Sequence, residues 1–364
     1  MTMSKHGWTY KKFEDCLKKF KTPSKIKSSE YYRSGLYPVI SQEQEYISGY
    51  NNSAEKIFHH DKPVVVFGDH SRVVKYVDFD FIVGADGVKI LLVRDELNPR
   101  FFYYYIKWID VQSLGYSRHY KVLKENYIPV PPMGEQEAIV AELDKINSAI
   151  DELKLQVADL GTLAQATFYD MFGDPVTNPK AWPVKKLGEV AHYSSTRVSA
   201  TKLTPKSYVG VDNLLKDKQG KCDAAYYPTD GNVTAFEVGD TLLGNIRPYL
   251  KKIWYADTEG GVSGDVLVVQ INEEMRSELH QFFIYYTLSL DDFFDFDMLH
   301  SKGAKMPRGS KPEILKFPIC IPPMALQQEF AARVKAIEEA KTELKAQMAD
   351  MQALLASRMQ YWFD

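Results

Sequence analysis

At 364 residues, with 45% hydrophobic and 13% aromatic residues, the chain is long enough for two or three domains with cores of their own. Its three cysteines, Cys16, Cys222 and Cys320, are odd in number and scattered, which excludes a disulfide framework and a zinc pattern and suits a reducing cytoplasm. The net charge of −3 argues on its face against a nucleic-acid partner, but that sum hides an uneven distribution along the chain.

The start, Met1 to Trp8, lacks the apolar core of a signal peptide, and no apolar run approaches a membrane span, so a soluble, cytoplasmic protein is expected. Lysines crowd this region (Lys5, Lys11, Lys12, Lys18, Lys19, Lys21, Lys25, Lys27) and read as solvated loop charge. Residues 63–67 form a β-branched run ended by Gly68-Asp69 and followed by Ser71-Arg72, and residues 79–83 and 88–93 are further strands. Asn98-Pro99 opens a helix whose aromatic residues, to Trp108, fall at core spacing. A basic segment with Arg118, His119, Lys121 and Lys124 precedes Ile128-Pro129-Val130-Pro131-Pro132, where prolines stop the strand and set an extended path into the next element.

From Met133 onward, apolar residues alternate four and three apart: Ile139, Leu143, Ile146, Ile150, Leu153, Val157, Leu160 and Ala164. This spacing puts them on one stripe of a helix of about 35 residues, roughly 50 Å long, the seam that two helices bury against each other. The helix is acidic and would be repelled by phosphate. Residues 173–181 are dense in turn formers and make a linker. Strand-like runs follow at 208–211, 241–243, 252–255 and 266–271, with Asn245 and Arg247 just after the second. Residues 303–312 are too rich in Gly and Pro for an element and form an exposed basic loop, with Lys302, Lys305, Arg308, Lys311 and Lys316 in and beside it. A second heptad stripe then runs through Phe330, Val334, Ile337, Leu344, Met348, Met351 and Leu355, broken only by Lys341.

The second half repeats the first. Val130-Pro131-Pro132-Met133 returns as Ile321-Pro322-Pro323-Met324, shifted by 191 positions, and both stripes keep that shift. Trp8-Thr9-Tyr10-Lys11-Lys12 returns as Trp182-Pro183-Val184-Lys185-Lys186, shifted by 174, so the second globule is longer by 17 residues. Between these landmarks, Gly68-Asp69-His70-Ser71-Arg72 aligns loosely with Gly244-Asn245-Ile246-Arg247, and Gly84-Ala85-Asp86-Gly87-Val88 with Ser263-Gly264-Asp265-Val266. The order is globule 1–132, helix 133–172, linker 173–181, globule 182–323, helix 324–364. Two helices in one chain can close on each other, antiparallel if the chain is to return to its start. The basic clusters before the two Pro-Pro pairs occupy equivalent places, and this twinning points to nucleic-acid contact.

No active site is legible. The two Pro-Pro-Met turns lack the polar first residue that an amino-group DNA methyltransferase uses to hold a flipped base, and no Gly-rich phosphate loop is present. The pair His59-His60 has no obvious carboxylate partner and reads as surface loop.

A globule ending in Pro-Pro, a helix with Gln near its start, Met171-Phe172-Gly173-Asp174-Pro175, then Trp182 with Leu187-Gly188-Glu189-Val190, and the whole order repeated, resembles the specificity subunit of type I restriction-modification systems over essentially the full chain. The resemblance implies an α+β fold in which two mixed α/β target recognition domains are separated by two long antiparallel helices, a coiled-coil spacer, with an internal two-fold repeat. It implies double-stranded DNA as a partner, read as a bipartite asymmetric target, and two methyltransferase subunits that bind S-adenosylmethionine and methylate adenine at N6. Restriction and translocase subunits join in such systems; this chain itself would bind no cofactor. Candidate DNA contacts are Ser71, Arg72, Arg118, His119 and Lys121 in the first domain, and Asn245, Arg247, Lys302, Lys305, Arg308 and Lys311 in the second, since Arg forks suit guanine edges, Asn suits adenine and Lys suits phosphate. Two readings of other classes stay open: a coiled-coil structural or regulatory protein with protein-binding globules, which salt-insensitive binding would favour, and a stand-alone nuclease, which metal-dependent cleavage would favour.

Overall fold

The computed structural model describes residues 7–21, 23–85, 87–109, 115 and 118–364; Lys5 and Asp86, named above, lie outside them. The chain folds as two compact units, Met1–Gln156 with Leu344–Asp364, and Val157–Glu343. Two helices of 40 residues, Met133–Phe172 and Met324–Phe363, each contribute one stretch to each unit.

In the first unit the strand Val64–Gly68 is central, flanked antiparallel by Val74–Val77 and Val88–Leu91. All five of its residues are buried, which explains why its sequence is a continuous apolar run and not an alternating one. Its two faces feed two cores. Val65 and Phe67 join Phe13, Leu91, Phe101, Phe102 and Ile139, while Val64 and Val66 join Ile40, Val77, Phe81 and Val83. The helix Pro99–Trp108 covers the first face, started by Asn98, whose side chain accepts hydrogen bonds from the Arg100 and Phe101 amides. A mixed sheet built on Phe81–Gly84 and Tyr37–Ile40 covers the other.

The second unit repeats this plan. Thr241–Gly244 is central between Ile253–Tyr255 and Val266–Ile271, again antiparallel on both sides. Leu243 faces a core with Ile253, Val269, Phe283 and Ile284, whereas Leu242 faces one with Trp254, Val266 and Val268. The helix Gln281–Ser289 stands where Pro99–Trp108 stands in the first unit. Each globule is closed by a two-stranded ribbon: Thr9–Lys12 with Tyr127–Val130, and Val184–Lys186 with Pro318–Cys320.

One buried glutamine ties each globule to its long helix. Gln136 is fully buried; its Oε1 accepts from the Asn98 amide at 2.8 Å and its Nε2 donates to the Glu96 and Pro131 carbonyls at 2.9 and 2.8 Å. Gln327 makes the same set in the second unit, with the His280 amide at 2.9 Å and the Glu278 and Pro322 carbonyls at 2.8 and 2.7 Å. In each unit these bonds satisfy one carbonyl of the Pro-Pro turn and two backbone groups in the stretch that leads into the shorter helix, Pro99–Trp108 or Gln281–Ser289, so one side chain ties both to the long helix.

The heptad stripes lie on the covered side of both helices. In the first unit Ile139 and Leu143 are fully buried with Met359 and Phe363, Ile150 is buried, and Ile146, Leu153, Leu344, Met348, Met351 and Leu355 are half-buried. The partners there run in opposite directions: Glu142 pairs with Arg358 and accepts from Trp362 Nε1 at 3.0 Å, while Ala149, Leu153 and Gln156 border Gln347 and Met351 across a gap of about 390 Å³. The packing of the middle stripe residues is thus looser than an unbroken apolar seam suggests. In the second unit Val157, Leu160 and Ile337 are half-buried, and Phe330 and Val334 are buried against Ala164, Phe168 and Phe172. Lys341, the break in the stripe, is mostly covered and is paired with Glu338 one turn back at 2.7 Å.

Candidate nucleic-acid interface

The most distinctive geometry lies at the end of each central strand. In the first unit the strand leaves its sheet at Gly68 and turns tightly back into Val74–Val77. The Arg72 amide donates to the Gly68 carbonyl at 2.8 Å and the Gly68 amide to the Val73 carbonyl at 2.8 Å. Arg72 sits in the left-handed region, φ 62°, and a Cβ on Gly68 would collide with Ser71 Oγ and Gln42, so the glycine is required there. Asp69 is the anchor. Its amide donates to the Gly87 carbonyl at 2.7 Å, its carbonyl accepts from the His119 amide at 2.8 Å, and its Oδ1 accepts from the Tyr120 amide at 2.9 Å.

Three separate stretches therefore meet at one residue. In the second unit Asn245 does the same: its amide donates to the Asp265 carbonyl at 2.9 Å and its carbonyl accepts from the Gly309 amide at 3.0 Å. Two residues on, Arg247 again has a left-handed backbone, φ 53°, and its amide donates to the Pro307 carbonyl at 2.7 Å. The basic segment is held flat against the strand end by bridges pairing Arg308 with both Ile246 and Lys302. Asp69 with Gly87 and His119 corresponds to Asn245 with Asp265 and Gly309.

The candidate residues fall into two sets. Arg72, Arg118 and Lys121 in the first unit, and Arg247, Lys302, Lys305, Arg308 and Lys311 in the second, present exposed cations. Arg308 is held 3.2 Å from the Asp265 carboxylate. Ser71 is half-buried, and its Oγ accepts from the Val73 amide at 3.3 Å within its own turn. His119, expected at the contact surface, is instead 1% exposed with Nδ1 3.0 Å from the Asp69 carbonyl; it anchors the basic segment from within. Asn245 is likewise buried, and what it offers is backbone geometry. The stretch 303–312, expected as an exposed loop, buries Pro307 and Gly309, and Lys311 opens a short helix, Lys311–Ile314.

Sequence reasoning missed Asp297. It lies on Asp291–His300, is 1% exposed, and its carboxylate meets Gly309 so closely, beside Asn245 Oδ1, that no side chain could stand at position 309. Burial pushes its carboxyl up to about 6, and His300 acts in the opposite direction. Nothing in the acidic, aromatic run 291–297 marks one acid as buried. The role of Asp69 was within reach, since the alignment of Gly68-Asp69 with Gly244-Asn245 already pairs the two anchors. His59 lies 2.6 Å from Asp80, a carboxylate partner the sequence did not reveal, and among the described residues no cluster of three or more His, Cys, Asp or Glu is placed to hold a metal ion.

Comparison with known proteins gives this geometry a context. Residues 5–158 match the family described as the type I restriction modification DNA specificity domain. A type I restriction enzyme specificity subunit of Escherichia coli is 27% identical over 193 residues, covering 48% of this chain and 46% of that one. The EcoDI specificity subunit, also of Escherichia coli, is 22% identical over 161 residues, covering 43% of this chain and 35% of that one. The chain thus matches about half or less of the length of these curated relatives. Among solved structures, an S subunit of a type I restriction-modification system from M. genitalium is similar in fold, with a TM-score of 0.56 at 15% identity, covering 98% of this chain and 96% of that one.

Proposed function

We propose that this chain is the non-catalytic subunit that reads DNA for a type I restriction-modification system, each unit reading one half of a bipartite, asymmetric target; the match of residues 5–158 to the specificity-domain family and the similarity to type I specificity subunits support this reading. The observation that carries this reading is the duplicated strand-end junction. Two equivalent platforms present an arginine on a left-handed turn beside a basic segment, and they differ in the residues they offer. Duplication with divergence is what two readers of different half-sites require.

In this reading Arg72 and Arg247 reach base edges, and Lys121, Lys302, Lys305 and Lys311 hold phosphates. The long helices form the spacer and dock two methyltransferase subunits, which bind S-adenosylmethionine and methylate adenine at N6; restriction subunits act through the same address. Exposed leucines off the stripes, Leu155, Leu163 and Leu354, support docking of partners there. Sequencing methylated adenines in cells with and without this gene tests the proposal: a split motif that vanishes with the gene supports it, and an unchanged methylome refutes it. Adding one heptad to each helix, about 10 Å or roughly three base pairs, should change the gap in the motif and leave both halves intact.

A further inference from the structure

A cleft of about 830 Å³ opens in the first unit beside the recognition junction, lined by Lys18, Lys19, Lys25, Lys89 and Arg94. Glu14 and Asp15 also border it, but Glu14 is already paired with Lys124. Asp95 is shared by Lys18 at 2.8 Å and Lys62 at 2.6 Å, so two cations face one carboxylate. Lys19 and Arg94 are exposed and take part in no ion pair among the described residues. Apolar side chains, Leu17, Phe20 and Ile90 among them, form part of the wall and concentrate the field of the cations.

The cleft is contiguous with the junction. Lys89 stands 3.7 Å from Asp69 Oδ2, and Tyr120, whose amide bonds Asp69 Oδ1, lines the cleft as well. We propose that this cleft binds phosphate, and that its ligand is the sugar-phosphate backbone of the DNA flanking the half-site read at Arg72. The inference rests on the DNA-reading function above and adds a backbone track to it. Its cations come from two separate stretches of chain, 18–25 and 89–94, and line an open cleft, which suits an extended polyanion; a pocket for a free phosphate or nucleotide would converge backbone amides on one point.

The test uses the full chain assembled with methyltransferase subunits, and a double variant, Lys19→Gln with Arg94→Gln, at exposed positions whose replacement leaves the core intact. Affinity for a duplex carrying the methylated motif is measured between 50 and 200 mM salt, alongside binding of inorganic pyrophosphate. Losing two phosphate contacts should lower the salt slope by about 1.8, so the parent's affinity falls about twelvefold more across that range than the variant's, while the methylated sequence stays the same. An unchanged slope and affinity in the variant, with normal duplex binding by the parent, overturns the track alone. Weakened pyrophosphate binding with duplex binding untouched overturns it too, as a free-anion pocket. If the parent complex shows no salt-dependent duplex binding, the DNA-reading function falls, and the track with it.

Discussion

Replacing Gln136 by Leu keeps the volume of a fully buried side chain and removes all three of its hydrogen bonds. The Asn98 amide and the Glu96 and Pro131 carbonyls then face an apolar group. At about 1 kcal/mol of net stability per bond, and more where the orphaned partner stays buried, the loss should be about 3–5 kcal/mol. The effect is local, because Gln327 holds the equivalent joint in the second unit with its own three bonds. Amide hydrogen exchange reads it directly: Gln136→Leu should accelerate exchange at Asn98 and leave His280 unchanged, and Gln327→Leu should do the reverse. If either variant leaves its own amide as protected as in the parent, or loosens both alike, the two-joint account is wrong.

Other outcomes follow from the same structure. Leu143→Asp buries an unpaired charge and should cost about 3–5 kcal/mol, whereas Leu153→Asp, beside the gap, should cost far less; equal melting shifts would contradict the packing. Because burial raises the Asp297 carboxyl to about 6, above its unfolded value, the folded state holds the extra proton and stability should fall as pH rises from about 4 to 6, by roughly 2–3 kcal/mol in all. Asp297→Asn should flatten that slope in thermal melts, and a slope that persists would show another group to be responsible. Arg72→Ala should weaken recognition of one half of the methylated motif and Arg247→Ala of the other, each by about 1–3 kcal/mol at one base position; loss in both halves from one variant would rule out independent readers.

The helices were legible because a heptad stripe has one physical meaning over seven or more repeats of its spacing. Their last turns were not. Ala164, Phe168 and Phe172 are four apart, as are Leu355, Met359 and Phe363 at the 191-residue shift, and steps of four drift around the helix away from the seam. That drift turns the rings toward the globule of their own unit: Phe172 packs on Phe283, and Phe363 on Phe101 and Tyr105. The central strands were visible as β-branched runs, but which residue faces which core depends on tertiary partners. At the strand-end junctions the arginines stood out by charge, whereas burial of His119 and Asp297 depends on which distant segments fold over them, and local sequence does not carry that.

The closing ribbons set how each globule can grow. Thr9 lies opposite Val130, and Val184 opposite Cys320, so the chain comes in and goes out at adjacent points. Everything in between is a loop whose ends are already joined. Lengthening such a loop costs only about 0.6 kcal/mol per doubling and does not shift the register of the helix that follows. The 17 extra residues of the second globule are accommodated in this way, and both helices keep a common length of 40. Insertions and deletions within the globules are therefore uncoupled from the helical frame, whereas one residue gained or lost after Gln136 or Gln327 would rotate every later side chain on that helix by about 100°.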